Sequence, residues 1–348
     1  MRVRQKTAKK VDRLLALLKG KSSMLIVMQD YPDPDAIAAG TALRELANAK
    51  AEVQCSFAHA GTVGRVENRA LVEYLDLNLR SIRDLDIDRF DLVAMVDTQP
   101  GTGNNSLPHG VIPHIVIDHH PIRHATRGAE FTDVRSRYGA TSTILYEYLV
   151  AAGIDIGAPL ATALVYGIRS DTQDLGNETI RPDIEAFSAL FPIANRRMLE
   201  EITSRRVPVA YFQLLIRGIS GAQVYGPCIV SNLGETDNPD MIGEIADLLL
   251  RREGIAWTLC YGRFNGRMLL SLRTSDPAAN AGRIMRAIVG KYGTGGGHNA
   301  LAGAQIDLTS LTPREHHFRE LVLLRRYLSL TGAKGVPPEP LIQPADLP

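Results

Sequence analysis

The chain has 348 residues and a formal net charge of +1, from 39 basic and 38 acidic side chains. At about 150 residues per domain, this length predicts two domains. A chain that coats long nucleic acid is usually more basic, so we expect no long nucleic acid as a partner. The three widely spaced cysteines, Cys55, Cys228 and Cys260, exclude a disulfide framework and favour a reducing, cytoplasmic location. No apolar run approaches the roughly 18 residues that span a bilayer, and we expect no membrane partner.

The first half of the sequence alternates short apolar runs with helical patterns. Val11, Leu14, Leu15 and Leu18 have the spacing of an amphipathic helix. A second helix is predicted at 35–49. The apolar runs predict strands at 24–28, 53–57, 92–96, 115–117 and 130–134. Short apolar strands separated by helices are typical of a parallel sheet covered on both faces. We therefore predict a doubly wound, mainly parallel α/β domain over residues 1–200.

The second half begins with a helical region at 139–197 and a further helix at 205–221, which we assign to a linker at 201–222. Strands are then predicted at 223–231, 255–263 and 267–272, with helices at 241–252, 281–289 and 313–330. This pattern predicts a smaller C-terminal α/β domain over residues 223–332. The tail, 333–348, is rich in proline, and we expect it to be extended and poorly ordered.

Polar residues follow three strands of the first half. Asp33 and Asp35 follow the first strand, Asp97 follows the 92–96 strand, and Asp118-His119-His120 follows the next. Asp171 ends a helical stretch. A single Asp after a strand is usually a turn or cap residue, but several at one sheet edge are better explained by a ligand. Asp and His side chains together suit Mn²⁺, Fe or Zn²⁺. Shared carboxylates favour two metals that clamp the attacking and leaving oxygens of phosphoryl transfer.

These motifs resemble those of the DHH phosphoesterase superfamily, which is named for the tripeptide found here at Asp118-His119-His120. The order also matches: P-D-x-D-A, a lone Asp after a strand, D-H-H, the G-A-T-S run that starts at Gly139, and G-I-x-x-D-T. The resemblance implies a centre for two metal ions, usually Mn²⁺. We expect one or two ions in this chain, with Mg²⁺ or another divalent cation as an alternative. The implied ligands are Asp33, Asp35, Asp97, His119 and Asp171. Asp97 would bridge the metals, His120 would face the scissile phosphate, and Asp118 would orient a neighbouring histidine.

One position departs from the pattern of the family. The superfamily usually has His four residues before the first Asp, where this chain has Gln29. Because a neutral amide is a poor ligand for a transition metal, we expect one of the two metal sites to be weakened by at least about tenfold. The other site, with Asp35, Asp97, His119 and Asp171, keeps its implied ligands.

The C-terminal half contains the run Gly295-Gly296-Gly297-His298, which resembles the G-G-G-H signature of the DHH-associated domain. Backbone N–H groups of a glycine-rich loop can bind phosphate. Residues 251–300 contain eight basic and two acidic side chains. We expect Arg273 and Arg283 to contact substrate phosphate, and we expect the glycine run to face the 118–120 segment across a cleft. A solvated basic surface is the alternative.

The resemblance implies a hydrolase that acts on short oligonucleotides or nucleotide phosphates, as the nanoRNase/pAp phosphatases do, through metal-activated water. Such an oligoribonuclease or phosphatase would bind short oligonucleotides or nucleotides as substrate. Polyphosphate, pyrophosphate and cyclic dinucleotides remain alternative substrates. Gln29 also leaves open a nucleotide-binding regulator with weakened catalysis. Association into a homodimer is a further open possibility.

Overall fold

The computed structural model describes residues 5–176, 179–204, 206–297 and 300–343. The chain divides into two units, Met1–Arg206 and Val207–Pro348, and this division falls within the stretch predicted as a linker. The predicted α/β class is confirmed, because the first unit contains a parallel sheet and the second unit has a sheet of its own. None of the helices in the described ranges combines the length and the apolar composition needed to cross a bilayer.

Six parallel strands form the sheet of the first unit, in the order β3-β2-β1-β4-β5-β6. The strands are β1 (Ser23–Val27), β2 (Gln54–His59), β3 (Leu79–Ser81), β4 (Leu92–Val96), β5 (Ile115–Asp118) and β6 (Phe131–Val134). The chain runs outward from β1 to β3 and then returns to the other side of β1 for β4. The strand order therefore reverses between β1 and β4, and open α/β sheets bind ligands outside the carboxyl ends of strands at such a point.

Seven helices of the described part share one hydrophobic core with one face of this sheet. They are α1 (Gln5–Leu18), α2 (Pro34–Ala51), α3 (Val66–Tyr74), α4 (Thr141–Ala151), α5 (Ala158–Asp171), α6 (Arg181–Leu190) and α7 (Arg196–Thr203). Within β1, Met24 and Ile26 join the helical core, whereas Leu25 and Val27 join a smaller cluster on the opposite face. Loops and short 3₁₀ turns cover that second face. Because both faces are covered, the central strands β1, β4 and β5 are apolar over nearly their whole length, as the sequence predicts.

The described residues of the second unit form seven strands in the order β11-β12-β10-β9-β8-β7-β13. Its elements are α8 (Val209–Ser220), β7 (Gln223–Tyr225), β8 (Cys228–Glu235), α9 (Met241–Leu250), β9 (Trp257–Phe264), β10 (Arg267–Thr274), α10 (Ala281–Val289), β11 (Thr294–Gly297), β12 (Leu301–Asp307), α11 (Pro313–Leu330) and β13 (Glu339–Pro340). Among the strands of the described ranges, β8 and β9 pair in parallel and the other neighbours are antiparallel. Helices α10 and α11 pack on one face, while α8 and α9 pack on the other.

Three expectations about the second unit were wrong in detail. The single strand predicted at 223–231 is a hairpin, because Gly226 adopts a φ of 58° and turns the chain between β7 and β8. The glycine run is not a loop in its described part, since Thr294–Gly297 pairs with β12. The tail is not poorly ordered throughout its described part, 333–343, because Glu339–Pro340 pairs with β7 and the Leu341 N–H donates to the Ala222 carbonyl at 3.0 Å.

Candidate metal centre

Four of the five implied metal ligands meet beyond the carboxyl ends of the parallel strands. They come from the first turn of α2, the residue after β4, the residue after β5 and the last residue of α5. These are Asp35, Asp97, His119 and Asp171. Each offers one ligand atom, and these atoms all lie within 4.8 Å of one another. Three carboxylates and an imidazole at this spacing can surround a single divalent cation, because metal–ligand bonds are about 2.0–2.2 Å long.

Asp35 is fixed by the amino terminus of a neighbouring helix. Its two carboxylate oxygens accept the backbone N–H groups of Thr141 and Ser142, at 2.7 and 2.8 Å, in the first turn of α4. The unpaired N–H groups and dipole of a helix amino terminus favour negative charge there. Helix α5 approaches the same point closely, since a Cβ on Gly167 would lie only 3.1 Å from the Asp35 Cα. That approach places Asp171, one turn further along α5, beside Asp35.

Asp97 is the most constrained member of the cluster. It is fully buried and adopts a left-handed backbone conformation, with a φ of 59°. Its Oδ1 accepts the Thr141 hydroxyl at 2.9 Å, whereas its Oδ2 is buried with no hydrogen-bond partner among the described residues. Burial, together with the nearby charges of Asp33 and Asp35, raises the pKa of Asp97 well above its usual range. A buried carboxylate oxygen without a donor is costly, and a divalent cation would satisfy it, so the donor set fits a metal.

The ring of His119 is oriented so that one nitrogen faces the carboxylates. Its Nδ1 donates to the Tyr138 carbonyl at 3.0 Å, and its Nε2 lies 3.1 Å from Asp171 Oδ2 and 3.5 Å from Asp97 Oδ1. Burial opposes protonation of His119, but Asp171 and Asp35 outweigh it and raise the pKa to about 10. Burial, and next the charge of Asp35, raise the pKa of Asp171 to about 7. A cation would take the place of the protons that these groups hold.

His120 lies beside the cluster and is supported by a polar network. Its Nδ1 donates to Asp118 Oδ1 at 2.8 Å, and the second oxygen of Asp118 accepts the Gln99 amide at 2.5 Å. Burial opposes ionisation of Asp118, but His120 and His119 hold its pKa below its usual range. Gln99 is itself buried, and its Oε1 accepts the Arg123 N–H and the Thr126 hydroxyl, both at 2.8 Å. The sequence interpretation missed Gln99, although it follows Asp97 by two residues at the same sheet edge.

Asp33 lies near the cluster but in neither group of close ligand atoms found in the described ranges. Its Oδ1 accepts the Ala36 N–H at 2.9 Å and caps α2. Its Oδ2 accepts the Gln29 side-chain amide at 2.5 Å. Burial and the neighbouring charge of Asp35 raise the pKa of Asp33. The two aspartates of the P-D-x-D motif therefore have different environments here.

The predicted substrate residues of the second unit have separate surroundings. Arg273 forms an ion pair with Asp247 of α9, at 2.5 Å between Nε and Oδ1, so its guanidinium is already engaged. Arg283 is exposed in the first turn of α10. Since Leu272 packs with α10 and the alternating residue Arg273 meets α9, the two arginines lie on opposite faces of the sheet. Gly295, Gly296 and Gly297 form the edge strand β11, and His298 lies outside the described residues.

Comparison with known proteins bears out the family resemblance. A family model described as the DHH family, N-terminal domain, matches residues 24–168, and one described as the DHHA1 domain matches residues 226–322. The fold is that of the DHH-superfamily phosphoesterases. The chain carries a DHH family N-terminal domain followed by a DHHA1 domain, and the resemblance inferred from the sequence motifs is confirmed.

Proteins similar to this chain include two curated relatives and one solved structure. An uncharacterized protein of Methanocaldococcus jannaschii is 35% identical over 83% of this chain, and the A-adding tRNA nucleotidyltransferase of Aquifex aeolicus is 27% identical over 72% of it. The matched stretches span 59% and 30% of the lengths of these two relatives. An exopolyphosphatase-related protein from Bacteroides fragilis has a TM-score of 0.71, at 14% identity, over 93% of this chain and 98% of its own. This last likeness shows a shared fold.

Proposed function

We propose that the protein is a metal-dependent phosphoesterase that hydrolyses short oligonucleotides or nucleotide phosphates such as pAp. The observation that carries the proposal is the buried cluster of Asp35, Asp97, His119 and Asp171, in which one oxygen of Asp97 has no donor among the described residues. A group of buried acids without a balancing cation is costly to fold, so its natural explanation is a bound metal. We propose Mn²⁺, because mixed carboxylate and imidazole ligands suit it.

A divalent cation in this cluster would activate water and neutralise negative charge on a phosphate. Side chains around the cluster would bind and orient the phosphate. Asp118 accepts the Nδ1–H of His120, so a doubly protonated His120 would have its Nε2–H left to donate to a phosphate oxygen. His120 is 28% exposed and Asp171 is 18% exposed, so substrate would approach the otherwise buried cluster past these two side chains. We regard the 118–120 segment as the part that orients the scissile phosphate.

We assign substrate binding to residues of the second unit. Arg283 and the backbone of Gly295–Gly297 remain our candidates for phosphate contacts. Arg273 would first have to leave Asp247, so we expect it to contribute less than Arg283. A cytoplasmic location and a homodimeric state remain expectations from the sequence.

Hydrolysis of a defined set of substrates tests the proposed function. The full chain would be incubated with Mn²⁺ and, separately, a dinucleotide, pAp, pyrophosphate, polyphosphate and a cyclic dinucleotide, with products resolved by chromatography. We expect release of mononucleotides or of phosphate from pAp. Cleavage of pyrophosphate or polyphosphate alone would replace the proposed substrate class. Tight binding of a nucleotide with no turnover in any divalent metal would replace the enzyme with a regulator.

A matched pair of substitutions would separate the metal centre from general effects on the fold. Asp97→Asn should lower turnover by at least about 100-fold, since it removes a ligand shared by the whole cluster. Asp91→Asn is the control, because Asp91 lies at the other end of β4 and bonds the Ser22 and Ser23 amides there. Equal activity losses in the two variants would contradict the assignment of the cluster as the active centre.

A further inference from the structure

The close groups of ligand atoms limit how many cations the centre can hold. The residues described by the structure offer two close groups of ligand atoms, Asp35/Asp97/His119/Asp171 and Asp97/His119/His120. Both groups need Asp97 and His119, and His119 has only Nε2 available because Nδ1 faces the Tyr138 carbonyl. In the second group, the His120 Nδ1 lies 3.8 Å from Asp97 but already donates to Asp118 at 2.8 Å. The two groups therefore describe one cation position and not two.

Asp33 would be needed for a second position, and both of its oxygens are already engaged. One caps α2 through the Ala36 N–H, and the other accepts the Gln29 amide at 2.5 Å. An amide N–H₂ group carries partial positive charge and has no lone pair available for a metal. At this oxygen of Asp33, the Gln29 amide therefore holds the place that a second cation would use.

A chain of hydrogen bonds fixes which end of the Gln29 amide faces Asp33. The Thr98 hydroxyl accepts from Asn105 at 2.9 Å and donates to Asn104 Oδ1 at 2.8 Å. The Asn104 amide must then point its N–H₂ outward, and it meets Gln29 Oε1 in a long contact of 3.5 Å. The Asn104 backbone carbonyl also accepts the Asp30 N–H at 2.7 Å, which ties the 98–105 loop to the segment after β1. With its oxygen facing Asn104, the Gln29 amide can only donate to Asp33.

We infer that this chain holds a single divalent cation, in the Asp35/Asp97/His119/Asp171 cluster, and that the Gln29–Asp33 hydrogen bond replaces the second one. The inference rests on the proposed metal centre and concerns its stoichiometry. It departs from the two-ion centre that the family resemblance implies. Asp33 acts here as a helix cap and as the acceptor of the Gln29 amide, not as a ligand.

Metal stoichiometry of the full chain tests the inference without any activity measurement. The metal-depleted protein would be titrated with Mn²⁺ in equilibrium dialysis and observed by electron paramagnetic resonance. We expect one bound ion per chain, with the signal of an isolated Mn²⁺. Two ions of similar affinity, or the signal of a magnetically interacting pair, would overturn the inference but leave the proposed phosphoesterase intact. Absence of Mn²⁺ binding would instead overturn the proposed function.

Substitution of Gln29 tests whether its amide is the cause. Gln29→His and Gln29→Glu each replace the N–H₂ donor with a ligand, and we expect a second Mn²⁺ to bind at least about tenfold more tightly than any second ion in the wild type. Gln54→His is the control, because Gln54 is exposed at the amino end of β2 and should change nothing. Circular dichroism would establish that each variant is folded. A folded Gln29→His and a folded Gln29→Glu that both still bind one ion would overturn the assigned role of Gln29.

Discussion

Helix α5 approaches the acidic cluster closely at Gly167, where a substitution by Ala would improve helix propensity but overpack the contact between the helices. At Gly167 an added Cβ would lie 2.6 Å from the Ser142 hydroxyl, 3.1 Å from the Asp35 Cα and 3.2 Å from the Pro34 carbonyl oxygen. The Ser142 hydroxyl can rotate away, but the backbone of α2 cannot. Since carbon atoms prefer a separation of about 3.5–4.0 Å, Gly167→Ala must open the gap between the helices by about 0.4 Å.

The expected stability change follows from the two opposing terms. Ala is better than Gly in a helix by about 1 kcal/mol, whereas overpacking costs about 1–3 kcal/mol. We therefore expect Gly167→Ala to destabilise the metal-free protein by about 0–2 kcal/mol. The metal centre should respond more sharply, because a shift of about 0.4 Å between Asp35 and Asp171 exceeds the roughly 0.2 Å tolerance of metal–ligand bonds. Affinity for Mn²⁺ should fall about tenfold, which corresponds to about 1.4 kcal/mol.

Denaturant unfolding of the metal-free protein and a Mn²⁺ titration would measure the two effects. Gly157→Ala at the start of the same helix is the control for metal affinity, because its nearest neighbour would be Pro159 Cδ at 3.8 Å, an ordinary contact. If Gly167→Ala stabilised the protein by about 1 kcal/mol and left Mn²⁺ affinity unchanged, helix propensity alone would explain the result. The argument from close packing would then be refuted.

Two further predictions concern buried polar networks. Gln99→Leu should destabilise the protein by about 3 kcal/mol or more and lower turnover, because it removes the side-chain partner of buried Asp118, of the buried Thr126 hydroxyl and of the Arg123 N–H; unchanged unfolding and turnover would contradict this. Burial opposes ionisation of Asp133, but Arg135 and Lys10 lower its pKa below the unfolded value of about 3.9. The contribution of Asp133 to stability is therefore present above the unfolded pKa and is lost as the pH falls through the folded pKa. The free energy of unfolding of Asp133→Asn should therefore fall less between about pH 5 and pH 2 than that of the wild type. An equal fall in both proteins would show that Asp133 does not contribute to the loss.

The architecture of the first unit was predictable because its signals are local. Apolar runs mark buried parallel strands, and the Asp–Pro pair at 33–34 marks the start of α2. The convergence of Asp97 and His119 also follows from local signals, since the carboxyl ends of parallel strands share one edge of the sheet. No knowledge of long-range packing is needed for either step.

The features that were missed depend on partners far along the chain. Gln99 acquires its role from Asp118 and Thr126, which are 19 and 27 residues away. The glycine run becomes a strand because β12 pairs with it, against the low strand propensity of glycine. Arg273 forms an ion pair with Asp247 of α9. The sequence pattern predicts this helix but does not show that Asp247 faces Arg273. In each of these cases the residue type does not determine which partner the residue has, because that partner is brought close only by tertiary packing.

The crowding of carboxylates in the metal centre leads to a last prediction about stability and function together. In the metal-free protein, Asp97 is fully buried beside Asp35 and Asp171 and has an oxygen with no donor in the described part of the chain. Asp97→Asn keeps the shape, keeps an acceptor for the Thr141 hydroxyl and tolerates the left-handed φ of 59°. It also supplies N–H donors to the neighbouring acids. We expect the metal-free variant to be more stable than the wild type by about 1–3 kcal/mol.

Added Mn²⁺ should reverse this order. Ligand at a hundredfold excess over its Kd stabilises a protein by about 2.7 kcal/mol, and the wild type should gain this whereas Asp97→Asn should not. Thermal unfolding at increasing Mn²⁺ would measure both proteins, with Asp33→Asn as the control, because Asn also caps helices and Asp33 lies outside the close ligand group. That control should still be stabilised by Mn²⁺. A metal-free Asp97→Asn protein less stable than the wild type would mean that hydrogen bonding and not charge crowding governs this site. If the variant is more stable without Mn²⁺ and the wild type is more stable with it, then Asp97 lowers the stability of the metal-free protein and serves to bind a cation.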